Sequence, residues 1–299
     1  MAIKRREFVQ YSSLLGAGAA LGAGRAGAAV GADYDVVIIG AGIAGMTAAR
    51  LLSKAGPGLK VLILEARDRV GGRILTATDM DEDIAPHGVE LGAQLIHGSQ
   101  SASWELIKEF DLATRSRHSL GEPEYRFFKP GKPAYMPDWG LVDNRMAQMR
   151  AAWATYDGPD MSYQAFADTL GLPPDEQELL YDEAASWSAD PSRISVQAAL
   201  QDGAKWDEFW DEDFQIIQGQ NALTNKMAAE LAGKIQLHSK VTEVFWSDGL
   251  AGVSYKYGRS HTSLTTRRLV TTLPIGVMQS GDVSFQPALP EWKQHAINS

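Results

Sequence analysis

The stretch from Gly40 to Glu65 holds the residues whose types and spacing could do chemistry. Gly40-Ala41-Gly42-Ile43-Ala44-Gly45 is a G-x-G-x-x-G turn, and a carboxylate, Glu65, follows 20 residues after Gly45. Closely spaced glycines leave backbone N–H groups open to an oxyanion, and a carboxylate can accept hydrogen bonds from two neighbouring hydroxyls. Such groups work only if other elements hold them. The apolar run Val36–Ile39 enters the turn as a strand, a helical pattern runs through Leu52, and a second strand, 60–64, ends on Glu65. Strand, glycine turn, helix, strand and acid form the unit that binds the ADP half of a dinucleotide. In that unit Gly40 permits the tight turn, Gly42 lets the backbone approach a pyrophosphate, and Gly45 lets helix pack on strand. Ile43 and Ala44 open the helix, whose N-terminal amides and dipole favour phosphate. The plain alternative, a βαβ unit that binds nothing, is disfavoured because strand, helix, second strand and acid all agree.

The next residues choose between dinucleotides. Glu65-Ala66-Arg67-Asp68-Arg69-Val70-Gly71-Gly72-Arg73 resembles the E-A-x-x-R-x-G-G-R segment of the flavin-containing amine oxidases, which include monoamine, polyamine and L-amino acid oxidases. The resemblance implies FAD rather than NAD, with Ala66 and Arg67 beside the cofactor, two glycines near the flavin, and Arg73 facing the pyrophosphate. Taken singly, Arg67, Asp68 and Arg69 read as solvated loop charges. Glu90-Leu91-Gly92-Ala93-Gln94-Leu95-Ile96-His97-Gly98 resembles the E-L-G-A-x-W-I-H-G of spermine and acetylpolyamine oxidases, with Leu95 in place of Trp. L-amino acid oxidases carry Gly-Pro-Met-Arg at positions 92–95, the arginine pairing with a substrate carboxylate. By this likeness Gly92, Ala93, Gln94 and Leu95 pass the isoalloxazine ring, Glu90 and His97 face the substrate channel, and the backbone of Val241 meets the adenine. A histidine that merely closes a loop is the plain alternative for His97.

The fold so implied is α/β: a Rossmann-like FAD-binding domain of the glutathione-reductase type with an inserted, largely helical α+β substrate domain. Its expected divisions are 33–98 and 215–280 for the FAD domain, 99–214 for the insertion, and 281–299 for the start of a second substrate-domain segment. The activity implied is oxidation of a primary or secondary amine, polyamine favoured, to an imine, with O2 reduced to H2O2. An L-amino acid or aromatic monoamine oxidase or dehydrogenase is one alternative, and a non-catalytic FAD-binding fragment or subunit is another. The family's lysine near flavin N5 would lie beyond Ser299. The expectation is therefore a fragment, with a second chain supplying the remainder as a further option.

Patterning fills in the rest. Residues 102–110 carry Trp104, Ile107 and Phe110 on one helical face, 124–136 reads as a hairpin, and Met146, Met149 and Trp153 recur at helical spacing as a core stripe. A helix with Leu223, Met227 and Leu231 on one face precedes strands at 235–238, 241–246 and 253–257, and a further strand runs from Arg268 into Pro274. Residues 201–213 hold six acids against one lysine with Trp206, Phe209 and Trp210 interleaved, either a rim that attracts polycations or a solvated loop. The net charge of −9 without a basic patch argues against nucleic acid. With no cysteine and six scattered histidines, no metal site is expected.

The first 32 residues carry a targeting message. Lys4-Arg5-Arg6-Glu7-Phe8 precedes a mild Ala/Gly-rich run and an A-x-A site at 26–28. This resembles a bacterial twin-arginine signal and implies export of a folded, FAD-loaded protein to the periplasm. So many Gly and Ala residues leave this run too weakly apolar for a stable membrane span, and none is expected. Arg5→Lys with Arg6→Lys is expected to hold folded protein in the cytoplasm. Cell fractionation that still finds the double variant in the periplasm would point to the Sec route instead.

Overall fold

The computed structural model describes residues 31–79, 87–117, 138–186, 190–201 and 211–298. The twin-arginine segment, the 124–136 hairpin and positions 202–210 of the acidic stretch lie outside the described residues. The chain divides into two compact units, 1–72 with 227–299, and 73–226. The changes of unit fall after Gly72 and Lys226, where the sequence reading put them after Gly98 and Phe214.

The first unit is built on β1 (Tyr34–Ile39), α1 (Ile43–Ala55) and β2 (Val61–Leu64), elements being numbered in chain order. β1 and β2 run parallel with Val37 opposite Leu62, and the other edge of β1 takes β11 (Ser260–Thr271), also parallel, with Val37 opposite Leu269. A parallel strand covered on both faces must be apolar throughout, and Val37, Ile38 and Ile63 are wholly buried. β9 (Ser239–Ser247), β10 (Leu250–Tyr257) and the first half of β11 form an antiparallel meander. With β8 (Ile235–Gln236) and β12 (Ser284–Gln286) at the ends, the sheet order is β12-β9-β10-β11-β1-β2-β8. Val241, Val244, Val253, Tyr255 and Leu264 share one core with Val37 and Leu62.

Two strand limits differ from the sequence reading. β8 stops at Gln236 because His238 adopts φ 54°, and the His238 and Ser239 amides donate to the carbonyls of Arg67 (2.9 Å) and Glu65 (2.7 Å). β11 starts at Ser260, well before Arg268, because its polar first half pairs with β10. Short helices α7 (Ile275–Gln279) and α8 (Glu291–Asn298) complete this unit, and α6 (Asn221–Glu230) runs through the second boundary.

The second unit has a small hairpin of β3 (Thr76–Ala77) with β4 (Val89–Glu90), and a three-stranded antiparallel sheet. In the latter, β7 (Asp213–Ile216) lies between β5 (Ile96–His97) and β6 (Thr114–Ser116). Its helices are α2 (Ser103–Glu109), α3 (Trp139–Ala154), α4 (Tyr163–Asp168) and α5 (Pro174–Ser186), followed by helical residues 196–201. The Met146–Met149 stripe lies in a core with Tyr163, Phe166, Leu180 and Val196, and Trp153 packs against it. Asp138 and Ser162 cap α3 and α4 by accepting from the amides of Leu141 and Ala165. Among the described residues, no helix is long and apolar enough to cross a membrane.

Between α3 and α5 sits an unfavourable charge. Burial pushes the Glu183 carboxyl above the ordinary glutamate value of 4.5, and the Asp143 charge pushes it further. An acid whose folded pKa is raised is protonated without penalty below its unfolded value, and the fold loses that advantage as pH rises from there through the folded value. Glu183→Gln is therefore expected to raise the melting temperature at about pH 7 by roughly 1–2 °C, allowing for screening of a partly exposed group, and to be neutral at about pH 4. Thermal melts at both pH values check this; a variant that melts lower at neutral pH would show that ionised Glu183 stabilises the bundle.

Candidate functional site

The ends of β1 and β2 carry the residues expected to hold the nucleotide. Gly40 sits at φ +103°, and a Cβ there would lie 2.6 Å from Thr272 Oγ1, whose hydroxyl donates to the Ile39 carbonyl at 2.8 Å. A Cβ on Gly45 would lie 2.0 Å from the Gly40 carbonyl oxygen, so helix and strand meet too closely for any side chain. Gly42 is different. Its φ of −73° and ψ of 175° suit any residue, and a Cβ there would touch only Gly72 Cα, at 3.9 Å. The protein itself does not require glycine at position 42. The space in front of its Cα is open to the close approach of a group outside the chain.

That space lies at the start of α1. No side chain caps this helix and no acid occupies its first turn. The first α-helical bond runs from Met46 N to Gly42 O at 3.0 Å, so the amides of Ile43, Ala44 and Gly45 precede the helix's own bonding. Ala44 is exposed, Ile43 half-buried and Gly45 buried. Uncapped amides at a positive helix end beside a bare Cα fit a pyrophosphate.

Glu65 lies beside the same turn, 7% exposed. Its Oε2 accepts from Ala41 N at 2.8 Å and its Oε1 from Arg67 N at 2.9 Å. Each carboxylate oxygen keeps a second acceptor site, enough for two ribose hydroxyls. The loop after it closes on the turn: Gly71 N donates to Ala41 O at 2.9 Å, and Gly42 and Gly71 form a parallel bridge. Arg67 and Arg69 both donate to the Gly72 carbonyl, at 3.3 and 2.9 Å, so these arginines fasten the loop rather than float in solvent. The side chains of Ala66 and Arg67 are otherwise exposed. Val241 is 4% exposed, and its side chain belongs to the meander core.

The second unit carries the other predicted residues. The Arg73 side chain is exposed, and its carbonyl accepts from Ala93 N at 3.2 Å. A Cβ at Gly92 would sit 1.9 Å from that carbonyl, so glycine is obligatory there on packing grounds alone. Gln94 is exposed and Leu95 half-buried. Glu90 Oε1 accepts from Gln220 N (2.7 Å) and from Thr76 Oγ1 (3.1 Å), and Oε2 also lies 2.9 Å from Thr76 Oγ1. The same hydroxyl accepts from Asn221 N at 3.0 Å. Glu90 and Thr76 thus supply acceptors to the uncompensated amides at the start of α6, a cap brought in from a different element.

His97 faces another partner. Its Nδ1 lies 2.8 Å from Asp213 Oδ1, with side-chain exposures of 46% and 11%. The structure therefore groups Glu90 with Thr76 and Gln220, and His97 with Asp213. Thr76, Gln220, Thr272 and the pairing role of Asp213 escaped the sequence reading. For Asp213 a signal existed: Phe214-Gln215-Ile216 continues as a strand, which separates this acid from the loop acids before it.

Comparisons with known proteins find matches over most of the chain. Residues 43–299 match a family model described as flavin containing amine oxidoreductase. Polyamine oxidase 2 of Arabidopsis thaliana is 26% identical over 294 residues, an alignment covering 88% of this chain and 56% of that protein. Pseudooxynicotine dehydrogenase of a Pseudomonas species is 37% identical over 296 residues, covering 87% and 55%. The chain thus spans little more than half the length of these curated relatives. A putrescine oxidase triple mutant from a redesign of cofactor binding superposes with a TM-score of 0.68 at 23% identity, covering 89% of this chain and 63% of its own, which shows a shared fold.

The two glycines separate stability from binding. Gly45→Ala is expected to destabilise the apoprotein by about 1–3 kcal/mol, the scale of overpacking. Gly42→Ala is expected to leave the apoprotein melt unchanged and to weaken FAD by at least about tenfold, since the new methyl displaces a phosphate contact. Melts of the apoproteins and FAD titrations check both. Undiminished FAD affinity in Gly42→Ala would remove the pyrophosphate from this turn.

Proposed function

The chain belongs to the flavin-containing amine oxidoreductases, the cofactor is FAD, and on that premise we propose that it oxidises a primary or secondary amine to an imine. The observation that carries the reading is Gly42: a glycine the protein does not need, above an uncapped helix start, in a chain that matches this family over residues 43–299. When bound, the flavin supplies the acceptor for the hydride that leaves the amine's α carbon. The chain's share is binding and orientation. The turn at 40–45 and Glu65 hold the nucleotide, and His97, fixed by Asp213, offers a ring nitrogen to an amine N–H. Transfer of the electrons onward to O2, giving H2O2, is part of the proposal.

Leu95 supports amines over amino acids. Where a carboxylate-binding arginine would stand, the chain places a half-buried apolar side chain. A desolvated substrate carboxylate without a cationic partner would lose several kcal/mol. The net charge of −9 also favours a polycation at long range. The polyamine assignment therefore rests on Leu95 and on charge; Glu90 also accepts from Thr76 and Gln220. A second reading has its own support: 37% identity to a dehydrogenase favours an electron acceptor other than O2. Export through the twin-arginine pattern at Arg5 and Arg6 completes the proposal.

A substrate panel on FAD-loaded protein tests these points. Anaerobic flavin bleaching by spermidine or spermine is expected to exceed that by L-amino acids, and to weaken as salt rises from low to about 0.5 M. Admitting air should then release H2O2; bleaching without O2 uptake would select the dehydrogenase reading. Faster bleaching by L-amino acids would sink the polyamine assignment, and FAD binding with no bleaching by any amine would sink the enzyme itself.

A further inference from the structure

We propose that the tip of the β10–β11 hairpin docks on an anionic lipid surface, taking its phosphate headgroups. The tip runs Lys256-Tyr257-Gly258-Arg259-Ser260-His261, and all six residues are exposed. Tyr257 stands opposite Ser260, so only Gly258 and Arg259 make the turn, with Gly258 at φ +59°. Basic residues meet where the strands begin to pair. Lys256 stands opposite His261 on one side and opposite Lys240 on the other. Strand register thus lines up Lys240, Lys256 and His261 on one face, away from the core that takes their neighbours Val241 and Tyr255. No basic run marks this place in the sequence, where Lys240 and His261 are far apart.

Stability does not account for the row, because like charges directly opposite each other in a sheet destabilise it. The acids beside it are already engaged. Asp282 pairs with Lys240 at 3.2 Å, and Glu243 accepts from the Ser254 hydroxyl at 3.3 Å. Among the described residues, Lys256, Arg259 and His261 make no ion pair. The tip therefore keeps a local positive charge in a chain whose net charge is −9. Within a Debye length of about 8–10 Å the nearest charges outweigh that total, so this end can approach an anionic surface. Tyr257, 52% exposed, adds an amphipathic ring, the kind of group that settles among headgroups. A tip of six residues is small beside the roughly 20–30 that a specific protein interface takes from each partner. A flat lipid surface demands no such area, and each Lys or Arg close to it strengthens binding about fivefold.

Co-sedimentation of the FAD-loaded full chain with large vesicles tests this. Binding to mixed phosphatidylcholine and phosphatidylglycerol is expected at low salt, with much less on phosphatidylcholine alone, and it should fall as salt rises to about 0.5 M. Lys256→Glu with Arg259→Glu should lower the partition coefficient at least about twentyfold. Lys226→Glu with Lys293→Glu, the same charge change on exposed residues elsewhere, should leave it within about twofold. Tyr257→Ala should weaken binding by the same factor at low and high salt. Lys4, Arg5 and Arg6 are present in every variant, so the differences read the tip. Retained flavin absorbance shows that each variant is folded; if the charge reversal is not, Lys256→Gln with Arg259→Gln decides. Equal losses in the two charge-reversed proteins would mean that total charge governs binding and would overturn the proposal, as would a wild type indifferent to phosphatidylglycerol. Release by inorganic phosphate at constant ionic strength would make this a site for a free anion and overturn the lipid assignment. Tip-dependent binding to polyglutamate but not to vesicles would overturn it too, in favour of an acidic protein.

Discussion

The hydrogen bond from the Ala41 amide to Glu65 Oε2 ties the glycine turn to the acid, and the rest of the nucleotide site depends on it. It exists because four cross-strand pairs, from Val36 opposite Val61 to Ile39 opposite Leu64, end β1 and β2 side by side. Gly40 N then donates to Leu64 O at 2.8 Å, so the turn starts as an extension of the sheet. A buried, charge-assisted bond of this kind contributes roughly 1.5–3 kcal/mol. Its larger effect is on geometry. The two amides fix the carboxylate, so binding a ribose there would not have to order it.

The remainder of the first unit holds that junction from outside. β11 is shared between two kinds of sheet, antiparallel to β10 up to Thr266 and parallel to β1 from Tyr34's partner onward. Thr272, just past its end, donates both its amide (3.0 Å) and its hydroxyl (2.8 Å) to the Ile39 carbonyl. This closes the side of Gly40 on which a Cβ would sit. From the other side, Gly71 and the arginine-tied Gly72 close over Gly42 without filling the space in front of it. The open face of Gly42 is thus framed by packed elements rather than left over by loose ones.

How legible each part was in the sequence follows from the range of the forces involved. The βαβ unit was legible because its signals are local: an apolar run buried on both faces, glycines with separate steric duties, an acid at a strand end. The Met146–Met149 stripe was legible for the same reason, since helical periodicity reports a buried face wherever its partner lies. The first half of β11 was not, because Ser260 to Thr265 are largely polar and exposed, and only pairing with β10 makes them a strand. The end of β8 was not legible either. His238 turns left-handed to satisfy carbonyls of Arg67 and Glu65, far away in sequence. Cross-element hydrogen bonds leave no periodic trace.

The same limit explains the fate of three carboxylates. By composition Glu65, Glu90 and Asp213 are alike, each an acid at or near a strand end. Each buried or half-buried carboxylate must find donors, and the donors decide its role. Glu65 finds two amides on the turn, and each of its oxygens keeps an acceptor site. Glu90 finds the Thr76 hydroxyl and the Gln220 amide, so its charge also offsets the positive start of α6. Asp213 finds an imidazole across one antiparallel pair, with His97 Nδ1 at 2.8 Å. Proximity along the chain had joined Glu90 to His97, seven residues apart, as a single channel. Strand pairing joins His97 to an acid 116 residues away, because cross-strand register governs which side chains touch.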